Sequence, residues 1–557
     1  MSARELITEH LDLWTGAVTK KSSSGRGSNG KVELTGVKKL RELILELAVR
    51  GKLVEQSPDD EPANIILERA QSEKHRLAKK GEIKKPRKLP GLAEMDLPFS
   101  VPDSWEWVQL EDISRDWGQK TPDEDFSYID VASVDNLRGV TTEASVLSSS
   151  DAPSRARKVV QQGTLIYSTV RPYLQNIAVI ENEITPEPIA STAFAIIHPL
   201  ASMPARFFLH YLRSPTFVKY VESVQTGIAY PAINDKQFFS GVVPIPPLEE
   251  QHRIVQKVDE LMALCDRLEQ QTSDQLEAHE TLVDTLLGTL TQSKNATELA
   301  DNWARLAAHF DTLFTTEQSI DKLKQTILQL AVMGRLVEQD AGDESAISYL
   351  TGWGIKASEH EMPGWATVEL GSLGEILGGA TPSKRNPEFW SGSIPWVSPK
   401  DMKTSQIFDS QDHVSESAID NSPLRTIPPQ SILMVVRGMI LAHSFPVAMT
   451  TTPVTINQDM KALVPPRDLA PYLLLTLTAI KATVTNLVER SSHGTCKLKS
   501  ETLWALPIDL PPLKEQMRIL QKVDELMALC DQLKERLNQA SGTRCQLAEA
   551  AADKALN

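Results

Sequence analysis

At 557 residues the chain exceeds what one hydrophobic core can hold, and roughly 100 to 200 residues per domain predicts about three to five units. Its composition, 41% hydrophobic and 24% charged with 27 Gly and 34 Pro, is that of a globular protein, and no apolar run approaches the roughly 20 residues that span a bilayer, which excludes a membrane protein. A net charge of −15 excludes a chain that grips polyanions by bulk attraction alone; a nucleic acid would be read locally or with help.

The chain starts MSARELITEHLDLW, with acidic residues and no apolar core before a small-residue cleavage site, so cytoplasmic residence is expected. Residues 20–31, Ser/Gly-rich and basic, predict a flexible tether. Within them Gly25 to Val32 nearly matches a phosphate-binding loop but lacks the Ser/Thr that would hold magnesium and any preceding apolar strand. Val37, Leu40, Ile44 and Leu47 step by 3, 4, 3 and predict a short helix stopped by Gly51. The basic run 74–88 reads as a solvated linker, with phosphate contact the other possibility. Pro246-Pro247, followed by Glu249 and Glu250, heads a long helix whose apolar seam runs Ile254, Val258, Leu261, Cys265, Leu268. Ile320, Leu323, Ile327 and Leu330 repeat the short helix, stopped by Gly334. Pro511-Pro512 and Glu515 then head a second long helix with the seam Ile519, Val523, Leu526, Cys530, Leu533.

These likenesses are an internal repeat, the feature to find first because it sets the fold. IPPLEEQHRIVQKVDELMALCDRLE from Ile245 returns as LPPLKEQMRILQKVDELMALCDQLK from Leu510; VKKLRELILELAVRGKLVEQ from Val37 returns as IDKLKQTILQLAVMGRLVEQ from Ile320. Trp105 and its followers return more faintly at Trp365. The chain therefore reads as short helix, globular region, long helix, twice over. The predicted domains are 1–36, an N-terminal extension and flexible linker; 37–98, a short helix and basic linker; 99–245, a first globular region; 246–340, a central helical region; 341–362, a linker; 363–510, a second globular region; and 511–557, a C-terminal helix. The expected class is α+β, a mixed α/β fold with internal two-fold pseudo-symmetry, in which two globular regions are separated by the long helices pairing antiparallel through their matching seams.

Residue chemistry gives no enzyme. The four cysteines, Cys265, Cys496, Cys530 and Cys545, form no Cys-x-x-Cys pair, which argues against zinc and a disulfide framework. No segment resembles the Asn-Pro-Pro-aromatic element that holds an amino group for methylation. The histidines make no metal-ligand spacing, and His252, replaced by Met517 in the second copy, is expected on the surface.

The copied segments resemble those of the specificity subunits of type I restriction-modification enzymes. The likeness rests on Leu-Ala-Val-x-Gly-Lys/Arg-Leu-Val (47–54, 330–337), Pro-Pro-Leu-x-Glu-Gln (246–251, 511–516), Pro-Asp-Ser-Trp-Glu-Trp (102–107), and the runs 378–390 and 394–402, over about residues 37 to 540. The resemblance implies two target recognition domains, each reading one half of a bipartite double-stranded DNA site, and helices that space them and dock two modification subunits. It implies no catalytic residue, metal or cofactor in this chain. S-adenosylmethionine, ATP and magnesium would belong to the modification subunits and to restriction (motor-nuclease) subunits. It leaves the N-terminal extension unexplained.

Base edges and phosphates are met by side chains with directed hydrogen bonds or cationic heads. The expected DNA contacts are Gln119, Lys120, Arg171, Tyr173, Asn176 and Tyr230 in the first domain, and Lys384, Arg385, Arg437, Ser492, His493, Lys497 and Lys499 in the second. Arg171 and Arg437 each follow a similar apolar strand. The alternatives are a scaffold that binds only proteins, or an inactive or decoy relative without sequence preference.

Overall fold

A computed structural model describes residues 10–20, 32–83, 89, 91–92, 95–227, 229–490 and 495–556. The chain divides into two compact units, residues 1–275 with 540–557, and residues 276–539. Six helices frame them: α1 (Leu11–Gly16), α2 (Thr35–Val49), α3 (Ala63–Lys80), α4 (Leu248–Gln292), α5 (Glu317–Val332) and α6 (Leu513–Leu556). The boundary between units falls inside both α4 and α6, which are 45 and 44 residues long.

In unit 1, Val37, Leu40, Ile44 and Leu47 of α2 are at most 3% exposed and share a core with Ile254, Val258, Leu261 and Cys265 of α4 and Ala548 of α6. Each of the buried Val, Leu and Ile side chains contributes about 1.5–3 kcal/mol relative to exposure. Arg41 closes the edge on Asp266 (2.7 Å) and Glu269 (3.0 Å). In unit 2 the roles return: Ile320, Leu323, Ile327 and Leu330 of α5 share a core with Ile519, Val523 and Cys530 of α6 and with Val283, Leu287 and Leu290 of α4, and Lys324 pairs with Asp531. Leu268, Leu526 and Leu533 are partly buried against the same cores. The seams expected to pair with one another are thus each covered, within their own unit, by the short helix and the far end of the other long helix. The seam's 4-3 spacing fixes a stripe, not the helix that covers it.

The predicted tether, but for Lys20, lies outside the described residues. Ahead of it α1 is packed: Trp14 is fully buried where Gly36 has no side chain, a Cβ there meeting the Trp14 carbonyl at 2.1 Å. Ser541 Oγ donates to Val18 O at 2.9 Å. A short helix, Phe310–Leu313, likewise lies ahead of α5. The basic run begins inside α3, where Lys74 is 8% exposed and lies 3.5 Å from Glu111. The phosphate-loop-like stretch, but for Val32, and residues 84–88 lie outside the described residues.

The interior of unit 1 holds β1 (Glu106–Gln109), β2 (Ser114–Arg115), β3 (Phe126–Ile129), β4 (Val134–Asp135), β5 (Val140–Thr141), β6 (Ser145–Leu147), β7 (Ala156–Val159), β8 (Leu165–Ser168), β9 (Ile177–Val179), β10 (Pro188–Ser191), β11 (Phe194–Pro199) and β12 (Val242–Ile245). One sheet has the order β2-β11-β8-β9-β5-β4, another β6-β3-β10-β7, and β1 pairs with β12. The interior of unit 2 holds β13 (Ser358–Glu359), β14 (Ala366–Glu369), β15 (Glu375–Gly378), β16 (Ile394–Val397), β17 (Gln406–Ile407), β18 (Asp412–Val414), β19 (Ile432–Val435), β20 (Val447–Thr450), β21 (Thr455–Ile456), β22 (Met460–Val464), β23 (Glu489–Arg490), β24 (Cys496–Lys497) and β25 (Pro507–Leu510). Its sheets run β15-β22-β19-β20-β17, β18-β16-β21 and β13-β14-β25, with β23 paired to β24. In each main sheet the central strand is antiparallel to both neighbours, and the next strand out is parallel. The two interiors therefore share a topology although their sequences have diverged. A helix, Ala205–Arg213 or Ala470–Ala479, packs on that sheet and against α2 or α5 of the same unit.

Each interior is seated on its long helix by one repeated device. Pro-Pro starts the helix without sacrificing an N–H, and the third residue on is a buried glutamate. Glu250 accepts from Trp105 Nε1 at 3.0 Å, and Glu515 from Trp365 Nε1 at 3.2 Å. Beside them Gln251 and Gln516 each donate to the carbonyl of the first proline, Pro246 and Pro511, at 2.9 Å. One turn on, Arg253 meets Asp60 at 2.6 Å and Arg518 meets Asp343 at 2.8 Å. The glycines that stop α2 and α5 have φ of +69° and +65° and lie against this layer, a Cβ on Gly334 falling 2.8 Å from the Trp365 ring.

Burial pushes the Glu250 and Glu515 carboxyls above the usual carboxylate range, opposed by the indole hydrogen bonds and by the arginines. Glu250→Ala strands a buried indole N–H and should lower stability by about 1–3 kcal/mol, whereas Glu250→Gln keeps an acceptor and should lose less. Because the folded carboxyl holds its proton more tightly than the unfolded one, its ionisation penalty is absent below the ordinary glutamate value of about 4.3. The penalty grows as pH rises through the raised folded value. Denaturant unfolding from pH 4 upward should show wild type losing stability relative to Glu250→Gln; parallel curves would refute the assignment.

Candidate nucleic-acid interface

The nominated residues of unit 1 fall into two places. The loop from β8 to β9 carries Arg171 and Gln175, both at φ of 50°, bracketing a single turn over Pro172–Leu174. Left-handed backbone at residues other than glycine is disfavoured by roughly 1–2 kcal/mol and persists only where surroundings impose it. Here they do: Arg171 N donates to Pro231 O at 2.8 Å, Ile233 N to Thr169 O at 3.0 Å, and Val170 bridges Ala232. The Arg171 guanidinium sits 4.7 Å from the centroid of the Tyr230 ring, a cation–π contact worth about 0.5–1 kcal/mol when exposed. Among the described residues no carboxylate pairs with it. Tyr173 and Tyr230 are 54% and 68% exposed. Asn176 is half-buried, and its carbonyl accepts from Ser168 N at 3.0 Å. Arg171 and Tyr230 thus present a charge on a ring face, and Tyr173 is exposed on the same loop as Arg171.

Gln119 and Lys120 stand apart, on the edge of the second sheet, where Gln119 bridges Lys158 of β7. Lys120 is held by Glu187 at 2.7 Å and Asp123 at 2.9 Å, and the hydrogen bond to Glu187 leads the effects that raise its pKa. A phosphate contact there would have to displace two carboxylates.

In unit 2 the loop after β19 is stitched the same way: Arg437 bridges Lys497, Gly438 N donates to Cys496 O at 3.0 Å, and Leu498 N to Val436 O at 3.0 Å. Arg437 is half-exposed and lies 3.8 Å from Asp459. The ladder therefore brings Arg437 and Lys497 together, with Lys499 two residues on and paired to exposed Glu489 at 2.6 Å. Lys384 and Arg385 are exposed on a different turn, before Pro387–Trp390. Ser492 and His493 lie outside the described residues.

Sequence reasoning passed over the turns leading into β5 and β17. The first carries Asp135-Asn-Leu-Arg-Gly139, a turn composition, but it was masked by the absence of an apolar run on either side.

Other groups have structural settings. His198 lies between Thr164 and Gln161, and burial, aided by Arg115, lowers its pKa to about 4. Cys265 is buried with its thiol pushed up to about 11 by burial. His252 is exposed. Among the described residues no cluster of His, Cys, Asp or Glu is arranged to hold a metal ion, and no helix is long and apolar enough to cross a membrane.

The model of the type I restriction modification DNA specificity domain matches twice, over residues 102–278 and 362–540. Each match runs from the Trp-bearing strand through the interior into a long helix. The specificity subunits of the type I restriction enzymes EcoAI and EcoEI from Escherichia coli are each 35% identical, over 100% of this chain and 100% of their own. A chain from a solved type I R-M system superposes with a TM-score of 0.53 at 24% identity, covering 83% of this chain and 99% of its own, a likeness of fold. With two copies of the matching domain on two copies of the same seat, the chain belongs to the specificity subunits of type I restriction-modification enzymes.

Proposed function

We propose that the chain is the sequence-reading subunit of a type I restriction-modification complex, each interior reading one half of a bipartite duplex site. One observation carries this: two interiors of the same topology each end their central strand in a loop stitched to the last third of the domain, and the loops present different side chains. A common frame with different tips is what two half-sites of different sequence require. Arginine on such a tip suits the N7 and O6 acceptors of guanine in the major groove, and the exposed tyrosines supply hydroxyl contacts to the phosphate backbone. The net charge of −15 assigns the bulk of phosphate attraction to partners, two modification subunits docked on the helices. Those subunits would hold S-adenosylmethionine, and restriction subunits would use ATP and magnesium. The chain itself carries no catalytic role in this reading and acts in the cytoplasm, and the domains are bounded near 99–245 and 363–510.

Three outcomes are expected. Arg171→Ala, assayed as the complex with modification subunits, should weaken cognate binding about 5- to 160-fold, the roughly 1–3 kcal/mol of a good base contact, and relax one position of one half-site. A uniform loss on all sequences, with a shallower salt dependence, would reassign Arg171 to phosphate. Exchanging residues 99–245 for those of another specificity subunit should change one half of the selected site and spare the other; a change in both halves, or neither, would defeat the one-domain, one-half-site reading. The purified chain alone should transfer no methyl group from S-adenosylmethionine to duplex DNA, and measurable transfer would move catalysis into this chain.

A further inference from the structure

The turn between β4 and β5 has an unusual economy. Leu137 at its tip is 89% exposed, yet the backbone beneath it is held from every side. Asp135 Oδ1 accepts from the N–H groups of Leu137 (3.0 Å) and Arg138 (3.1 Å). Arg213, largely buried, spends its guanidinium on main-chain carbonyls: Leu137 O at 3.3 Å, Ile177 O at 3.2 Å, and Asn136 O. Gly139 closes the turn at φ +72°, with no room for a Cβ, which would meet Leu209 at 2.6 Å. Asn136 Nδ2 donates to Leu174 O at 3.3 Å, tying the turn to the Arg171 loop. A mobile apolar tip would fold back and shield itself. This one is fixed outward beside the candidate interface.

The second domain has a turn at the matching place, there leading into the edge strand β17 without a hairpin partner, and the ladder identifies its tip. Val179 N donates to Gly139 O at 2.9 Å, and Met449 N donates to Ser405 O at 2.9 Å. Val140 pairs in parallel with Val179, as Gln406 does with Met449. Leu165 faces Val179 across the ladder as Ile432 faces Met449. Counting two residues back from Gly139 and from Ser405 places Lys403 where the first domain has Leu137. Lys403 is exposed and, among the described residues, has no carboxylate partner. Asp401, two residues before it as Asp135 is two before Leu137, is likewise consumed by the local backbone, accepting from Ser398 N at 2.8 Å and Gln411 N at 3.0 Å.

We propose that this turn is a second reading position in both domains, Leu137 making an apolar contact to a thymine 5-methyl group in one half-site and Lys403 donating to the guanine O6/N7 edge in the other. The β4–β5 hairpin is a two-stranded ribbon of the kind that fits the major groove, the β17 turn projects from a sheet edge, and these are the base edges that an aliphatic side chain and an ammonium group recognise there. The inference rests on the reading of the chain as a DNA-specificity subunit.

The test exchanges the tips. Complexes carrying wild type, Leu137→Lys, Leu137→Ala or Lys403→Leu, each co-expressed with the modification subunits, are used to select bound duplexes from random DNA. Leu137→Lys should convert one base pair of one half-site from thymine towards guanine by about tenfold, Leu137→Ala should erase the preference at that same position, and Lys403→Leu should alter one base pair of the other half-site only. The exposed tip leaves unfolding midpoints unchanged, so loss of fold is separately visible. If wild type selects a bipartite sequence and the variants select the identical one, the turn is not a reading element. If wild type selects no sequence at all, the specificity reading itself fails.

Discussion

A carboxylate buried at the first turn of a long helix is the constraint on which the rest of each unit depends. Glu250 and Glu515 lie where the helix dipole favours negative charge, and each is reached by an indole from the strand that opens the interior. That single hydrogen bond joins the start of the interior to the residues just past its end, since β1 and β12, or β14 and β25, run side by side between them. Each interior is thereby closed at its base. Everything between is free to diverge so long as both ends return to the same place.

This explains why the sheets keep their order while their surface loops do not. The central strands β8 and β19 are buried along their whole length, so substitutions there are limited to apolar exchanges of similar volume. Their downstream loops emerge at one end, held by a few main-chain hydrogen bonds that tolerate many side chains. Arg171 is braced by Tyr230, whereas Arg437 lies near Asp459 and is flanked by Lys497. The frame is specified by backbone pairing, the tips by side chains alone.

Much of this was legible in the residues. The duplicated Pro-Pro-Leu-x-Glu-Gln and Leu-Ala-Val-x-Gly segments located both scaffold helices, and Trp105 and Trp365 marked the strands that meet them. Three things were hidden. The seams of α4 and α6 show the same stripe whatever covers them, so their packing on α2 and α5 does not follow from spacing. Common topology in the interiors rests on strand register, which leaves no sequence identity behind. Lys120 looks like any loop cation until Glu187, 67 positions away, is seen against it. The packing of α1 was illegible for a different reason, because six residues are too few for an apolar period to show.

Because unit 1 is built from residues 1–275 together with 540–557, its parts are made before and after those of unit 2. Trp14, α2 and the first half of α4 emerge early, yet the core they form also includes Ala548, with Cys545 and Ala551 packed against it. Unit 2, drawn from one continuous stretch, has all its residues available sooner. Unit 1 is therefore completed only after the residues of unit 2 have been made, and until then the apolar faces of α2 and α4 lack the cover that Ala548 supplies. Long-range closure of this kind slows folding and leaves apolar surface open to wrong partners. All of unit 2 is made while those faces are uncovered, a state in which chaperone protection matters more for unit 1 than for unit 2.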